Sequence, residues 1–458
     1  MRTIALYCSL FGAIGALLLL FSTTGGPSFV QEQYHRYHAA SPKGPPLSHS
    51  QSPAWQTQRE WIYNYPRDAR NYGLSQDQCS SAFPDLFDEI ERAVSWRKKK
   101  GIPISGQDLD SGWRGDGFVR AMIYDNQLYI IDAHGIWDQN HRPRALASLH
   151  SLHRAITAYP DQLPNIEFTL TDHDAPYIDQ ESNHTIWGYS RLSRQEALWL
   201  VPDFGYWAWP DVGLRSYSEI QSMVSHDEDD FLDKIPKVVW RGAVDGLGSH
   251  DVRAGLVQAS KDQTWSDVQT LHWDNKTNIA EHLIGMEDHC AYQYVAMTEG
   301  NTYSGRLKYL LNCHSVLLSH KLNWIEHFHH LLKPSGKDQN YIQTKRDFSD
   351  LPKKMRSLLK PANTQKAQHI ADNARKMFRE RYLTPAAEAC YWRALIRGWA
   401  EVQGFEVQGW EEKETKDRRT GKTKVKRRMR GAPFESYVIM EEVDWETPSK
   451  ARKMCIVD

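Results

Sequence analysis

A small polar loop, residues 299–311, carries the side chains best suited to bind phosphate. Ser304 has the type and place of a helix N-cap, and Gly305 lets a ligand approach the backbone closely. Arg306 and Lys308 add positive charge to a helix end that already carries a partial positive charge. The pattern predicts a phosphate site, although an ordinary capped helix with exposed basic residues has the same pattern. The loop matches neither the Walker nor the Rossmann glycine pattern.

The segments around this loop predict the elements that position it. Residues 292–297 alternate as a strand does, and Leu307, Leu310 and Leu311 follow helical spacing. Alternating strands and helices elsewhere indicate an α/β fold with two lobes, the second beginning near Lys237. Further strands are predicted at 127–131, 166–170, 237–240 and 315–319, and helices at 83–100, 146–158, 364–381 and 385–403.

Composition sets broad limits on function. The 458 residues have a net charge of -1, so no overall positive field favours nucleic acid. The 17 Trp and 21 Tyr are numerous, and aromatic faces suit sugar rings as well as protein cores. The chain is long enough for two or three domains, each with its own core.

The N-terminal residues predict a membrane anchor. Residues 3–21 are almost wholly apolar and follow a single positive residue, Arg2. This pattern favours an uncleaved signal anchor with the remaining chain in the lumen, and a cleaved signal peptide is the alternative. The sequons at Asn183 and Asn275 agree with a lumenal chain, although two are expected by chance.

The six cysteines indicate disulfides rather than metal chemistry. Cys8 lies in the predicted anchor, and the other five have neither zinc-finger nor Cys-x-x-Cys spacing. Structural disulfides are therefore expected in an oxidising lumen.

Two charged segments have less specific interpretations. The acidic residues 227–230, followed by Pro236, predict a hinge between the lobes. Residues 413–430 hold ten Lys or Arg and predict a solvated loop, with nucleic-acid or lipid contact as the alternative.

Several blocks, in order, resemble glycosyltransferase family 90, the capsule-associated family. The blocks are residues 237–242, 288–294, 299–311 and 315–318. The family contains Rumi-type protein O-glucosyltransferases and fungal capsular xylosyltransferases, and the resemblance spans about residues 79–402, closer to fungal members. It implies a type B glycosyltransferase fold, in which two Rossmann-like lobes face a cleft. The C-terminal lobe would hold a UDP-sugar and the N-terminal lobe the acceptor.

This resemblance and the N-terminal pattern together predict five regions. They are a signal anchor (1–22), a stem (23–75), an N-terminal acceptor lobe (76–232), a C-terminal donor lobe (233–403) and a C-terminal extension with the basic loop (404–458).

The resemblance also assigns donor contacts to this chain. Arg241 and Arg253 match donor-binding arginines of the family, and structural ion pairs are their alternative role. Fixed cations there would stabilise the negative charge that develops on the departing UDP. The pyrophosphate would be held by the loop residues Asn301, Thr302, Tyr303, Ser304, Gly305 and Arg306.

The family's catalytic aspartate stands in an Asp-x-Pro context after a strand, which matches Asp174 and Pro176. An inverting transfer needs one carboxylate to take the proton of the acceptor hydroxyl. Asp172, also at the strand end, is the less favoured candidate for the base. An Asx turn before proline explains either residue without function.

The segment 172–174 also has the Asp-x-Asp form of metal-dependent glycosyltransferases. The basic donor loop already supplies compensating charge, so no metal cofactor is expected. The acidic residues 227–229 share the form and are interpreted as solvated.

The aromatic segment 204–211 resembles the part of the family that lines the cleft. Trp209 is the candidate for stacking on the sugar or acceptor, while Tyr206 and Trp207 fit a core equally well.

The resemblance further implies two disulfides, Cys290–Cys313 and Cys79–Cys390. The first would fix the two ends of the donor-loop element, and Cys455 is left without a partner.

These expectations describe an inverting, metal-independent type II membrane glycosyltransferase of the secretory pathway. The chain ends in Cys455 to Asp458 rather than in an ER-retention signal, which favours the Golgi over the ER. UDP-xylose is preferred slightly to UDP-glucose as donor, and the acceptor is a glycan or a glycoprotein. The alternatives are a protein O-glucosyltransferase acting on Ser and a non-catalytic glycan-binding or scaffold protein. No nucleic-acid partner is expected.

Overall fold

The structure is a computed structural model, and all the residues that it describes belong to one compact unit, Trp61–Asp458. The described residues are 61–111, 116–136, 141–174, 185–209, 213–244, 248, 250–416 and 419–439. The predicted anchor, Asn183 and Cys455 lie outside these ranges. Within them, no helix is both long and apolar enough to span a bilayer.

Fifteen strands are found in the described residues. In chain order they are β1 (Phe118–Tyr124), β2 (Gln127–His134), β3 (Ile166–Thr171), β4 (Trp187–Gly188), β5 (Arg191–Leu192), β6 (Trp199–Leu200), β7 (Ile235–Gly242), β8 (Ser266–Thr270), β9 (Tyr292–Met297), β10 (Val316–His320), β11 (Trp324–Ile325), β12 (Ile342–Thr344), β13 (Trp410–Lys416), β14 (Thr423–Met429) and β15 (Ala432–Pro433).

Helices lie before, between and after these strands. They are α1 (Tyr65–Asp68), α2 (Gln76–Ala82), α3 (Asp88–Lys100), α4 (Gly106–Ser111), α5 (His141–Thr157), α6 (Tyr217–Asp227), α7 (His250–Ser260), α8 (Lys276–His282), α9 (Leu307–Leu310), α10 (Leu351–Leu358), α11 (Thr364–Ala374) and α12 (Pro385–Ala400).

The first sheet is mixed and holds the strand that leads to Asp174. Its order is β15-β2-β1-β3-β4-β6, with β1 antiparallel to both β2 and β3. Asp125 and Asn126 join β1 to β2 with positive φ angles of 49° and 59°, which suits a tight hairpin. This sheet therefore differs from the doubly wound parallel sheet expected of a Rossmann-like lobe, because so short a connection can only join antiparallel strands.

The second sheet is parallel throughout and holds the predicted donor loop. Its order is β12-β10-β9-β7-β8, and every pairing is parallel. The chain therefore starts at β7, steps to β8 on one side and then continues through β9 on the other. In open α/β sheets ligands bind at the carboxyl ends of the strands where this order reverses. Here that point lies between the ends of β7 and β9.

Helix α12 returns to the first sheet and closes the fold. Trp399 donates from its indole nitrogen to the carbonyl of Glu167 at 3.0 Å, and Tyr391 donates to Leu200 at 2.9 Å. The disulfide Cys79–Cys390 ties α12 to α2, as the resemblance implies. The predicted lobe boundaries remain predictions.

Three expectations for individual segments need correction. The predicted helix 364–381 is α11 followed by a π-helical segment, Arg375–Tyr382. The basic segment 413–430 is not a loop, because β13 and β14 pair in register as an antiparallel hairpin. The acidic segment 227–230 is not wholly solvated, because Glu228 forms ion pairs with Lys234 and Arg379.

Candidate active site

A cavity of about 420 Å³ lies at the carboxyl ends of β7 and β9. Most of the sequence-predicted site residues line it, from both halves of the described chain. They are Asp174, Trp209, Arg241, Arg253, Asn301, Tyr303, Ser304, Gly305 and Arg306. Two predicted residues, Thr302 and Asp172, are buried beside the cavity, at 4% and 1% exposure.

The donor loop leads into a shorter helix than its sequence predicts. Helix α9 has four residues, its N-cap is Arg306, and no side chain caps it. The prediction that Ser304 caps the helix is therefore wrong. Ser304 instead accepts the amide of Leu307 through its backbone carbonyl at 3.1 Å, in a turn before the helix starts. Positive charge at this site comes from side chains and not from a long helix.

Arg253 and Arg306 supply that charge. Arg253 is 6% exposed and donates to the carbonyls of Glu299 and Ala243 at 3.0 and 2.7 Å. Arg306 donates to the carbonyl of Arg241 at 2.5 Å. Among the residues that the structure describes, no carboxylate pairs with either guanidinium. Both also lie over the Trp240 ring, with 5.9 and 5.7 Å to its centroid.

The pKa values of both arginines are lowered by effects that the charge of a bound anion would oppose. Burial lowers the pKa of Arg253 to about 10. Burial and the positive charge of Arg253 lower the pKa of Arg306 to about 9. Two neighbouring buried cations disfavour their own charged forms, and an anion placed between them would favour those forms. The arrangement is suited to a dianion such as a pyrophosphate.

Arg241 lines the same cavity but already has a carboxylate partner. Its Nη2 lies 2.9 Å from Asp267 Oδ1. Its other nitrogens donate to the carbonyls of Asp267 and His282 at 2.6 and 2.7 Å. These contacts hold the end of β7 and present the Arg241 carbonyl to Arg306.

Lys308 does not face the cavity as a free charge. Its side chain is 2% exposed, and its Nζ lies 2.9 Å from the equally buried carboxylate of Asp203. The same nitrogen donates to the carbonyl of Gly305 at 2.7 Å. The expectation that Lys308 adds charge for phosphate is replaced by a buried ion pair that fixes the donor loop.

Asp174 and Asp172 have different environments. Asp174 Oδ1 lies 3.0 Å from Arg144 Nη1, and the Asp174 side chain is 42% exposed at the cavity. Asp172 Oδ1 lies 2.7 Å from His141 Nδ1, and the Asp172 side chain is 1% exposed. Of the two candidate bases, Asp174 is the one that a substrate can reach.

The donor loop also bonds directly to the segment that carries Asp174. Thr302 donates from its hydroxyl to the carbonyl of Asp174 at 3.1 Å, and Ser190 donates to the same carbonyl at 2.8 Å. Asn301 accepts the amide of Gly248 at 2.9 Å. The loop is therefore held on both sides of the cavity.

Trp209 packs in an aromatic corner beside Asp174. Its ring lies 4.9 Å from that of Phe204, with an interplanar angle of 86°. Tyr206 is buried in the core, whereas Trp207 is half-buried and stacks on His150 at 4.9 Å.

One group of side chains has the composition of a metal site. Ligand atoms of His141, Asp172 and His173 all lie within 4.8 Å of one another. The two histidine rings are 4.9 Å apart, and His173 Nε2 is 2.7 Å from the carbonyl of Asp116. Asp174, the other carboxylate of the Asp-x-Asp segment, is not part of this group.

Sequence reasoning missed several residues of the cavity. Arg144 comes from α5, and no local motif marks it. A further group gives one end of the cavity an apolar surface and consists of Leu271, Trp273, Leu283, Ile284 and Met286. Trp273 is 66% exposed and Leu283 is 49% exposed, which is unusual for large apolar side chains. Only the folded structure shows that these residues line the same cavity.

The second expected disulfide flanks the donor loop. Cys290 precedes β9 and Cys313 follows α9, and the structure joins them. Burial, together with the positive charges of Arg306 and Arg241, lowers the pKa of nearby His289 to about 4.

The cavity has an accessible carboxylate on one side and, on the other, arginines without a carboxylate partner among the described residues. This arrangement fits an enzyme that transfers a group from a phosphate-linked donor. A model of the family described as Glycosyl transferase family 90 matches residues 75–449. Because this match covers most of the chain, the protein belongs to glycosyltransferase family 90 and is a glycosyltransferase.

Known relatives agree with this assignment. The chain is 31% identical over 382 residues to O-glucosyltransferase rumi of Drosophila pseudoobscura pseudoobscura, covering 77% of this chain and 87% of the relative. It is 23% identical over 270 residues to the O-glucosyltransferase rumi homolog of Anopheles gambiae, covering 54% and 64%. It is 27% identical over 192 residues to Protein O-glucosyltransferase 2 of Danio rerio, covering 40% and 36%.

Proposed function

We propose that this protein is an inverting glycosyltransferase that moves a sugar from a UDP-sugar to a hydroxyl of a glycoprotein or glycan. The observation that supports this most strongly is the pair Arg253 and Arg306. Both line the cavity, and neither has a carboxylate partner among the described residues. The pyrophosphate of the donor would take the place of that partner. The proposed arrangement is the type B fold, with acceptor and donor lobes at 76–232 and 233–403.

The donor would lie along the cavity from the apolar end to Asp174. The apolar end, with Trp273 and Leu271, suits the uracil ring. The loop residues Asn301 to Gly305 would lie beside the phosphates, and Arg241 would hold Arg306 rather than the donor itself. Trp209 would face the sugar or the acceptor.

Asp174 would act as the general base. The acceptor oxygen attacks the anomeric carbon of the sugar, and its proton passes to Asp174 Oδ2 as the carbon–oxygen bond to the phosphate breaks. UDP departs with the bonding electrons, and the arginines stabilise its charge. Since the attack and the departure occur on opposite sides of the carbon, the configuration inverts. No metal is needed for this scheme.

The identity of the sugar and the acceptor is the least constrained part of the proposal. The names of the relatives favour glucose as the transferred sugar and a protein as the acceptor. The resemblance to fungal members of the family favours UDP-xylose slightly. We therefore carry protein O-glucosyltransferase as the second candidate function.

The cellular setting is also a proposal. The two disulfides, Cys79–Cys390 and Cys290–Cys313, suit an oxidising compartment. Asn275 is exposed at the start of α8, where a glycan could be attached. We propose a type II protein of the Golgi or ER membrane, anchored by residues 1–22.

The test is UDP release by the full-length protein in the presence of EDTA. UDP-xylose, UDP-glucose, UDP-galactose and UDP-N-acetylglucosamine are supplied in turn, beside an Asp174→Asn variant. Release from one donor that survives EDTA and is lost in the variant supports the proposal and names the sugar. Release that EDTA abolishes contradicts the metal-free scheme and directs attention to His141, Asp172 and His173. UDP binding without release from any donor favours the non-catalytic alternative or means that a specific acceptor is required.

A further inference from the structure

Arg144 is the side chain in contact with the carboxylate of Asp174. Its Nη1 lies 3.0 Å from Asp174 Oδ1, and its own side chain is 22% exposed. Nothing in the local sequence marks this arginine, which comes from α5, 30 residues earlier in the chain. Because Arg144 binds Oδ1, Oδ2 is the oxygen left to accept a proton.

The contact is one of two that fix the end of β3 to helix α5. His141 bonds to Asp172, and Arg144, one turn later, bonds to Asp174. Residues three apart share one face of a helix, so His141 and Arg144 face the same way from α5. Their two contacts hold the segment that carries the proposed base at two points.

Aromatic side chains in turn hold Arg144. Its guanidinium carbon lies 5.0 Å from the centroids of both Phe204 and Trp209, whose rings meet edge to face. Cation–π contacts of this kind restrict a side chain that would otherwise sample many rotamers. The predicted stacking residue Trp209 is thus already in contact with the partner of the base.

We infer that Arg144 is a positioning residue that sets the orientation of the Asp174 carboxylate, and that Phe204 and Trp209 position Arg144. The inference rests on the proposed function, in which Asp174 removes the acceptor proton. A carboxylate that is free to rotate would spend part of its time with neither oxygen near the acceptor hydroxyl. Small displacements of a reacting group lower rates steeply, by as much as about 100-fold per ångström.

Arg154 provides a matched control on the same helix. It pairs with Glu388 at 3.0 Å and lies 4.4 and 4.8 Å from the rings of Tyr72 and Trp207. Its side chain is 26% exposed, close to the value for Arg144. It does not line the cavity, so it shares the local chemistry of Arg144 without the proposed role.

The experiment compares Arg144→Gln, Arg144→Lys and Arg154→Gln in the full-length protein. The measured quantities are kcat and KM for the sugar donor that wild type uses, the Kd for UDP, and the melting temperature. Arg144→Gln is expected to lower kcat by about 10- to 100-fold, with the UDP Kd within about twofold of wild type. Arg144→Lys should recover part of the loss, and Arg154→Gln should leave kcat unchanged.

A second arm asks whether Arg144 acts through Asp174. Arg144→Gln is combined with Asp174→Asn, and the residual rate is compared with that of Asp174→Asn alone. Less than about a twofold further loss supports the inference, because an interaction energy appears only when two side chains act together. An equal loss in both backgrounds, or equal kcat in Arg144→Gln and Arg154→Gln, overturns it. With a glycoprotein acceptor supplied, absence of UDP release from every donor by wild type overturns the proposed function and this inference together.

Discussion

The two walls of the cavity differ in how their charged side chains are paired. The first wall carries Asp174 and Arg144, and the second carries the donor loop with Arg253 and Arg306. On the first wall, the charged groups are paired: Asp174 with Arg144 at 3.0 Å. On the second wall, Arg253 and Arg306 donate hydrogen bonds to carbonyls and have no carboxylate partner among the described residues. A paired carboxylate is fixed in place. An unpaired cation gains from an anion that arrives with the substrate.

A third arginine shows that the absence of a carboxylate is not enough to indicate a ligand site. Arg393 is 1% exposed and donates to the carbonyls of Tyr72, Leu74 and Ala155 at 2.6, 3.0 and 3.3 Å. Burial lowers its pKa to about 10, as for Arg253. Arg393 is enclosed in the core, whereas Arg306 makes one carbonyl contact and lines a cavity. Donors that remain available beside open space distinguish a binding arginine from a structural one.

The largest effect is expected from Asp174→Asn, which alters the first wall alone. An amide cannot take the acceptor proton, so turnover should fall by about 100- to 10,000-fold. The Kd for UDP should stay within about twofold, because the arginines of the second wall are unchanged. UDP release and calorimetric UDP binding measure the two quantities.

The comparison predicts the opposite for Asp172→Asn. Asp172 is buried against His141, so its replacement should lower the melting temperature. Its effect on kcat should be smaller than that of Asp174→Asn. A greater loss of kcat in Asp172→Asn than in Asp174→Asn would contradict the assignment of the base.

The second prediction concerns the ion pair between Lys308 and Asp203, which joins the donor loop to the segment before Phe204. Lys308 and Asp203 are each 2% exposed, and Lys308→Met leaves the Asp203 charge buried without its partner. Removing one member of such a pair costs about 3–5 kcal/mol of folding free energy. Urea unfolding should detect this loss, and UDP binding should weaken because the carbonyl of Gly305 also loses its donor.

The control for Lys308 is an exposed ion pair of similar geometry. Lys98 lies 2.7 Å from Glu401, with side chains 57% and 55% exposed. Lys98→Met should change stability by less than about 1 kcal/mol, since water screens exposed pairs. If Lys308→Met is equally mild, the two walls are not joined by the buried pair.

The third prediction separates the arginines within the second wall. Arg306→Gln removes a charged donor that we propose for the pyrophosphate, at about 1.5–3 kcal/mol, so the UDP Kd should rise about 10- to 100-fold. Arg241→Gln should weaken UDP binding less, because that guanidinium already pairs with Asp267 at 2.9 Å. Equal losses in the two variants would show that a carboxylate partner does not separate these roles.

Local patterns in the sequence were sufficient for much of the second wall. The strand-like pattern of residues 292–297 predicts β9 with the bounds that the structure has. Its last four residues are all buried, as expected of a parallel strand that is covered on both faces. The run 237–240 likewise lies inside β7. Together with the loop that follows β9, these strands determine where an anion can bind.

Contacts between distant segments could not be predicted in this way. Lys308 has helical spacing, but its partner Asp203 lies 105 residues away, and only folding shows that this side of the helix is buried. Arg144 and Asp174 lie 30 residues apart and meet only in the folded chain. No local pattern of residues therefore predicts their contact. Ser304 has the right residue type for an N-cap, yet the backbone makes another turn before α9 begins.

The smallest expected effect is a coupling between UDP and the protonation of His289. This side chain is 1% exposed, its Nδ1 donates to the carbonyl of Gly285 at 2.8 Å, and burial lowers its pKa to about 4. The charges of Arg306 and Arg241 contribute to this lowering, while Asp288 opposes it. A pyrophosphate between the arginines would cancel part of their effect, so UDP should raise the pKa of His289.

The sign of the pH dependence follows from this direction. If UDP raises the pKa of His289, protonation of His289 must favour UDP binding by the same factor. The UDP affinity of wild type should therefore increase, relative to a His289→Gln variant, as the pH falls from 7 towards 5, by less than about tenfold. Both proteins experience the titration of UDP itself, so their difference isolates the histidine. In the absence of UDP, the unfolded chain binds a proton between about pH 6.5 and 4 that the folded chain does not, so wild type should lose stability over that range more than the variant. An identical pH dependence of UDP binding in the two proteins would mean that the anion does not bind between the arginines, since it would then leave the field at His289 unchanged.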